Sequence, residues 1–300
     1  IHAVEEAGFI ARHIGRRLKL PYVFDMDSDM PAQIVDAWSI TAPLRPLMYR
    51  VMSPVIRDAA AVAPVCDALA AVAADNGARR VEILRDISLL SVLGAGNSPE
   101  RGFRQQHTVS GPAILYIGNL EVYQGIDLLL QSFAELNRSN TSATLVIAGG
   151  RPEDIDRYRR QADTLGMGGR TLFLGPRPLS DMPGLFRDAD ILVSPRKQGH
   201  NTPMKIYSYL DSGKPLVATR LPTHTQVLDE TVAWLTAPEP AAMAAGFRKL
   251  LSDDDLRRRL AEAASRRAQA MYSFQAFEAA VNRLYTPLEN DGRDRRPGAA

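Results

Sequence analysis

From Gly111 onward, short β-branched and aliphatic runs alternate with segments of helical period. This alternation leaves few folds open. Strands that are apolar throughout, each followed by a crossover helix, build a parallel sheet covered by helices on both faces. The spacing predicts strands at 113–118, 143–148, 171–175, 190–194, 215–219 and 233–236. Helices are expected between them at 126–137, 153–165, 179–187, 203–211 and 223–228. Together these make one doubly wound α/β domain.

Upstream, 22–26, 61–65 and 81–85 read as three more strands, too few for a complete sheet. The chain begins at Ile1 in the pattern of a helix over 3–18, with no charged-then-apolar leader, so it reads as a fragment that enters its first domain mid-fold. The expected organisation is a partial first α/β domain over 1–92, a Gly/Ser/Asn-rich linker over 93–110, and an intact second domain over 111–271. A helix over 272–288 is expected to pack back on the first domain, followed by a disordered charged tail over 289–300.

Composition removes several functional classes. Thirty-six basic against 34 acidic side chains give a net charge of +2, too balanced for a protein that coats nucleic acid. The one cysteine, Cys66, cannot form an internal disulfide, and no Cys/His cluster has zinc spacing, so a reducing cytoplasmic setting and no metal are expected. The longest apolar stretch, 59–74, is interrupted by Pro64 and Asp67 and is too short to span a bilayer.

In a doubly wound sheet of order 3-2-1-4-5-6, ligands bind beyond the carboxyl ends of the strands where the order reverses, between the first and fourth strands. Two segments should meet there: Gly118-Asn119-Leu120-Glu121-Val122-Tyr123-Gln124-Gly125, and Pro195-Arg196-Lys197-Gln198-Gly199-His200-Asn201-Thr202-Pro203-Met204-Lys205. Thr202 followed by Pro203 reads as an N-cap and first helical position. Lys205 in the first turn opposes the helix dipole, which makes sense if an anion binds there, and Arg196 and Lys197 add charge. A phosphate site is the inference. The plainer alternative is that the glycines only make tight turns and the cations are solvated. No nicotinamide-type G-x-G-x-x-G and no Walker lysine loop is present.

At these residues the chain resembles the family 4 glycosyltransferases of the GT-B fold, in which two Rossmann-like domains face each other. The resemblance rests on Tyr116-Ile117-Gly118-Asn119-Leu120, Gln124-Gly125-Ile126-Asp127-Leu128-Leu129, Leu145 to Gly150, Leu172-Phe173-Leu174-Gly175, Ala189 to Pro195, and Lys205 to Thr219. It implies a nucleoside-diphosphate sugar as co-substrate, no further cofactor, a retaining metal-independent transfer, and a glycan, lipid-linked or small-molecule acceptor between the domains. The donor residues it implies are Gly118, Asn119, Gln124, Gly125, Gly175, Arg177, Arg196, Asn201, Thr202, Pro203, Lys205 and Ser208, with the base near 175–179. Candidate catalytic residues are His2 and Glu5, at the strand end and helix start of the first domain, and His200.

Four positions depart from the family pattern. Asn119 and Gln124 stand where an Arg and a Lys usually grip the pyrophosphate, and His200 and Ser208 stand where two acids are expected. Two readings follow: a re-tooled transferase in which Lys205 and Arg196 supply the lost charge, or a non-catalytic GT-B-derived module that binds a nucleotide or glycan. Asp25-Met26-Asp27 spells a D-x-D, but Asp29 with Pro31 is better read as an N-capping loop. Arg257, Arg258, Arg259, Arg266 and Arg267 form the solvated face of a helix. Arg12, Arg16, Arg17 and Lys19 keep peripheral contact with the inner face of a cell membrane open.

Overall fold

The structure is a computed structural model that describes residues 1–93, 102–138, 142–199 and 202–294. The chain divides into two compact units, Ile1–Asp86 together with the chain from Gln275 onward, and Ile87–Phe274.

The first unit is built on three parallel strands, β1 (His2–Val4), β2 (Val23–Met26) and β3 (Ala61–Pro64), in that order, with His2 opposite Val23 and Val23 opposite Ala61. They alternate with helices α1 (Ala7–Leu18), α2 (Met30–Ala37), α3 (Arg45–Asp58) and α4 (Asp67–Asp75). Asp29 caps α2 by accepting from the Ala32 amide at 3.3 Å. Gly8 lets α1 lie on the sheet: a methyl group there would come 2.6 Å from the Phe24 ring. The helix expected over 3–18 is therefore two elements, a short strand and α1. They are separated at Glu5, whose φ of +51° is left-handed and breaks helical geometry. The strand expected at 81–85 reduces to a single bridge between Val62 and Val81. The facing residue, Pro64, has no N–H to donate, so the ladder loses a rung there.

The second unit begins with the short helices α5 (Leu89–Leu93) and α6 (Phe103–Gln106). It continues through β4 (Ala113–Ile117), α7 (Ile126–Asn137), β5 (Thr144–Ala148), α8 (Pro152–Thr164), β6 (Thr171–Gly175), α9 (Met182–Asp188), β7 (Ile191–Ser194) and α10 (Lys205–Asp211). It closes with β8 (Leu216–Thr219), α11 (Pro222–Thr225), β9 (Trp234–Thr236), α12 (Pro240–Ser252) and α13 (Asp254–Met271). The strands form one parallel sheet of order β6-β5-β4-β7-β8-β9, which is the 3-2-1-4-5-6 arrangement. Alternate strand residues feed two cores, because successive side chains leave a strand on opposite faces. Ile114, Tyr116, Leu145 and Ile147 pack with Leu129, Phe133 and Phe247. Leu115, Val146 and Leu192 pack with Phe186, Tyr209 and Leu210, and Tyr207 and Tyr209 are both buried. Helix α12, absent from the sequence reading, has proline in its first turn, where the missing N–H costs nothing.

Two boundaries differ from expectation. The segment from 102 to 110 is not a free linker: Phe103 is buried, and Arg104 donates to the Asp188 carbonyl at 2.6 Å and the Gly111 carbonyl at 2.8 Å. At the other end, helix α14 (Phe274–Asp294) carries the chain past 289, where disorder was expected, and buries Ala280 and Leu284 with Val23 and Ala61 of the first unit. No helix among the described residues is long and apolar enough to cross a membrane.

Candidate functional site

The strand order of the second unit reverses between β4 and β7, and the two expected loops meet there. The glycines permit it. Gly125 has φ +74° and its Cα faces the Pro195 carbonyl so closely that a methyl group would come within 2.1 Å of that oxygen. The Lys197 amide donates to the Tyr123 carbonyl at 2.9 Å, and Arg196 lies over the Tyr123 ring, 5.0 Å from its centroid. Gly118, at φ +149°, leaves space for the Lys205 ammonium, which would sit 2.7 Å from a methyl group at that position.

Lys205 is the unusual group. Its Nζ donates to the Tyr116 hydroxyl at 3.0 Å and to Gln124 Oε1 at 3.2 Å, and lies 4.1 Å from the Tyr116 ring centroid. Tyr116 passes its own proton to the Asn119 carbonyl at 2.6 Å. Both partners of Lys205 are neutral, and among the described residues no carboxylate pairs with it. Burial, reinforced by the charge of Arg196, pushes its pKa down to about 7. Burial also lowers the pKa of Arg196, whose Nη1 donates to Thr223 Oγ1 at 3.0 Å. Two partly desolvated cations thus converge, and the hydrogen-bond partners of Lys205 are both neutral. Lys197 does not join them, since Asp127 Oδ2 neutralises it at 2.7 Å.

The helix start differs from the sequence reading. Helix α10 begins at Lys205, with Met204 at the cap position and no side-chain cap, instead of Thr202 capping a helix that starts at Pro203. The Pro203 carbonyl accepts from the Ile206 amide at 2.9 Å, a tight turn that delays the regular helix. The Thr202 hydroxyl, 8% exposed as a residue, is buried and has no hydrogen-bond partner. Positive charge here comes from side chains, and a seven-residue helix adds little dipole.

Other candidates are dispersed. Ser208 is wholly buried and its Oγ accepts from the Leu89 amide at 3.0 Å, so its bonding is internal to the fold. Asn119 is exposed and, with Gly118, Gly149, Gly150, Arg151 and Arg177, lines a cleft of about 390 Å³ at the carboxyl ends of β4, β5 and β6. Gly175 ends β6 beside that cleft, its carbonyl accepting from the Gly149 amide at 2.7 Å. His200 and Asn201 lie outside the described residues.

In the first unit, His2 opens β1 and Glu5 follows its carboxyl end. His2 Nε2 bonds Asp25 Oδ2 at 2.9 Å, and its Nδ1 meets the Tyr285 hydroxyl. Glu5 Oε2 accepts from Ser28 Oγ at 3.1 Å, while Oε1 is buried without a partner. Burial raises the pKa of Glu5, and burial with Asp25 and Asp27 raises those of Asp27 and Asp86. Among the described residues no group of three or more His, Cys, Asp or Glu is placed to hold a metal ion.

Sequence reasoning missed Tyr116, the hydrogen-bond acceptor under Lys205, and the buried set Ser194, Thr219 and His224. A histidine five residues past the end of a strand, in the short helix that follows it, was the available signal.

Fold and site together define an α/β protein of the GT-B class with a doubly charged crevice at the switch point of its second Rossmann-like unit. A family model described as "Glycosyl transferases group 1" matches residues 99–267, more than half of the chain, and the chain belongs to that family. It is 30% identical over 192 residues to a D-inositol 3-phosphate glycosyltransferase of Corynebacterium jeikeium, an alignment covering 61% of this chain and 45% of that protein. The chain spans about half the length of the curated relatives it matches. Among solved structures, Anabaena HepE in complex with UDP superimposes with a TM-score of 0.78 at 18% identity, covering 95% of this chain and 76% of that one. HepE in complex with UDP-glucose gives 0.73 at 18% identity, over 94% and 76%.

Proposed function

We propose that this protein transfers a sugar from a nucleoside-diphosphate donor to an acceptor, with the donor diphosphate held by Lys205 and Arg196. The observation that carries the reading is a half-buried lysine whose partners are all neutral, beside a second cation whose guanidinium is also partly desolvated. Desolvating two charges is unfavourable unless an anion completes the site. A diphosphate has the matching charge, and the two cations would meet it from a partly desolvated setting, where each contact counts for more. Catalysis would then come from positioning and from stabilising the departing diphosphate, with no metal ion. The Gly118–Arg177 cleft has room for ribose and base, and the HepE complexes with UDP and UDP-glucose support UDP as the first nucleotide to try.

The departures from the family pattern are consistent with re-tooling. Gln124 holds the ammonium of Lys205 through its amide oxygen, and Ser208 is part of the scaffold. His2 and Glu5 are the groups we assign to the acceptor side. An exposed apolar run on the same unit, Trp38, Ile40, Leu44 and Leu47, flanked by Arg45 and Arg50, supports an acceptor with a lipid portion and contact with a membrane surface. The non-catalytic alternative is separated from this reading by one assay. Radiolabelled UDP-glucose, GDP-mannose and UDP-N-acetylglucosamine are incubated with the full-length protein and a membrane lipid extract. Transfer or slow donor hydrolysis that disappears in Lys205→Ala supports the transferase. Tight nucleotide binding with no turnover of any donor supports the binding module.

A further inference from the structure

Behind the two cations lies a buried polar cluster that the proposed chemistry does not use. His224, in α11, is wholly buried, as are Ser194 at the end of β7 and Thr219 at the end of β8. His224 Nδ1 lies 2.8 Å from the Thr219 carbonyl oxygen, an obligate acceptor, so Nδ1 carries the proton. The same N–H reaches Thr219 Oγ1 at 3.0 Å. Nε2 is then left as an acceptor, and Ser194 Oγ, 2.8 Å away, donates to it. Thr219 Oγ1 in turn donates its proton to the Arg196 carbonyl at 2.6 Å, and Thr223, beside His224, accepts from Arg196 Nη1 at 3.0 Å. One neutral imidazole therefore ties two parallel strand ends together, and both hydroxyls that fasten Arg196, at its backbone and at its guanidinium, belong to the residue it bonds or to its neighbour.

We propose that His224 is a positioning residue for Arg196, fixing where that guanidinium meets the diphosphate of the donor. The inference rests on the diphosphate reading given above. Burial is the main influence on the His224 imidazole, and the charges of Arg196 and Lys205 add to it; together they outweigh the hydrogen bond to the Thr219 carbonyl and push its pKa down to about 4. The imidazole stays neutral across the working pH range, as a fixed donor–acceptor pair requires. A hydrophobic residue would fill the same space but take the acceptor from the Ser194 hydroxyl and leave the Thr219 side chain, which holds the Arg196 carbonyl, less firmly oriented.

The test is a double-mutant cycle on binding of UDP, with inorganic pyrophosphate as a base-free probe, by titration calorimetry. His224→Phe should weaken both probes about tenfold in the natural background and less than about twofold in Arg196→Ala, because a residue acting through Arg196 has nothing left to position once the guanidinium is gone. His224→Asn, which keeps an N–H near the Nδ1 position, should recover part of the loss. Nitrogen-15 spectra should show the Nδ1–H tautomer from neutral pH down to about 4. Should His224→Phe fail to fold, Ser194→Ala removes only the Nε2 partner and is read in the same cycle. Equal losses in both backgrounds, or an imidazole that titrates near 6.5, would overturn the proposal. If neither probe binds the natural protein, the diphosphate reading itself fails, a separate result from an intact affinity that His224 does not control.

Discussion

The residue that concentrates the physics of this molecule is Lys205. Below pH 7 its ammonium is charged in the free protein; between 7 and its ordinary value of 10.5 the free protein leaves it largely neutral, whereas a bound diphosphate restores the charge. Binding above pH 7 should therefore take up close to one proton, and affinity should fall as the pH rises from 7 towards 10. Calorimetry of UDP binding at pH 8.5 in two buffers of different ionisation enthalpy reads that proton directly, and Lys205→Arg, which stays charged, should abolish it. Ser208 makes the opposite point. It occupies a position where the family resemblance leads one to expect an acid, yet it is wholly buried and bonded to the Leu89 amide. Ser208→Glu would bury a carboxylate where a hydroxyl now accepts from the Leu89 amide. We expect a loss of about 2–4 kcal/mol in thermal or urea unfolding, with no gain in nucleotide affinity.

At the level of elements, glycine geometry and parallel strand ends assemble the crevice. Gly125→Ala would put a methyl group 2.1 Å from the Pro195 carbonyl at φ +74°, with backbone on both sides and little freedom to yield. The expected cost is about 2–3 kcal/mol in unfolding free energy, accompanied by weaker nucleotide binding, because the β4 and β7 loops separate. These loops were legible from the sequence, since strand periodicity, the Gly118 and Gly125 turns and the topology rule together name both. What the sequence did not disclose is how α10 starts. Thr202-Pro203 has the chemistry of a cap, but the Pro203 carbonyl closes a tight turn on Ile206 and the regular helix begins two residues later. Local propensity identified a helix start, and tertiary packing at the crevice moved it. The strand expected at 81–85 failed for a comparable reason, because Pro64 on the facing strand cannot supply the ladder hydrogen bond.

On the scale of the whole molecule, the long-range periodicity carried the architecture, and the sheet order β6-β5-β4-β7-β8-β9 follows from it. The network that tunes the site was hidden, since Tyr116, Ser194 and Thr219 look like ordinary strand-end residues, and His224 like an ordinary residue of a short helix, until the strands are placed side by side. The near-neutral net charge of +2 likewise says little by itself. Two of its positive charges matter because they are desolvated together at one strand-order reversal. The most direct test of that claim is titration calorimetry of the natural protein and of Lys205→Ala with UDP, GDP, ADP, CDP and dTDP. The account predicts that at least one nucleoside diphosphate binds the natural protein and that Lys205→Ala weakens it roughly 10- to 100-fold, the loss expected for a charge-assisted contact. Unchanged affinity of Lys205→Ala for every nucleoside diphosphate would contradict it.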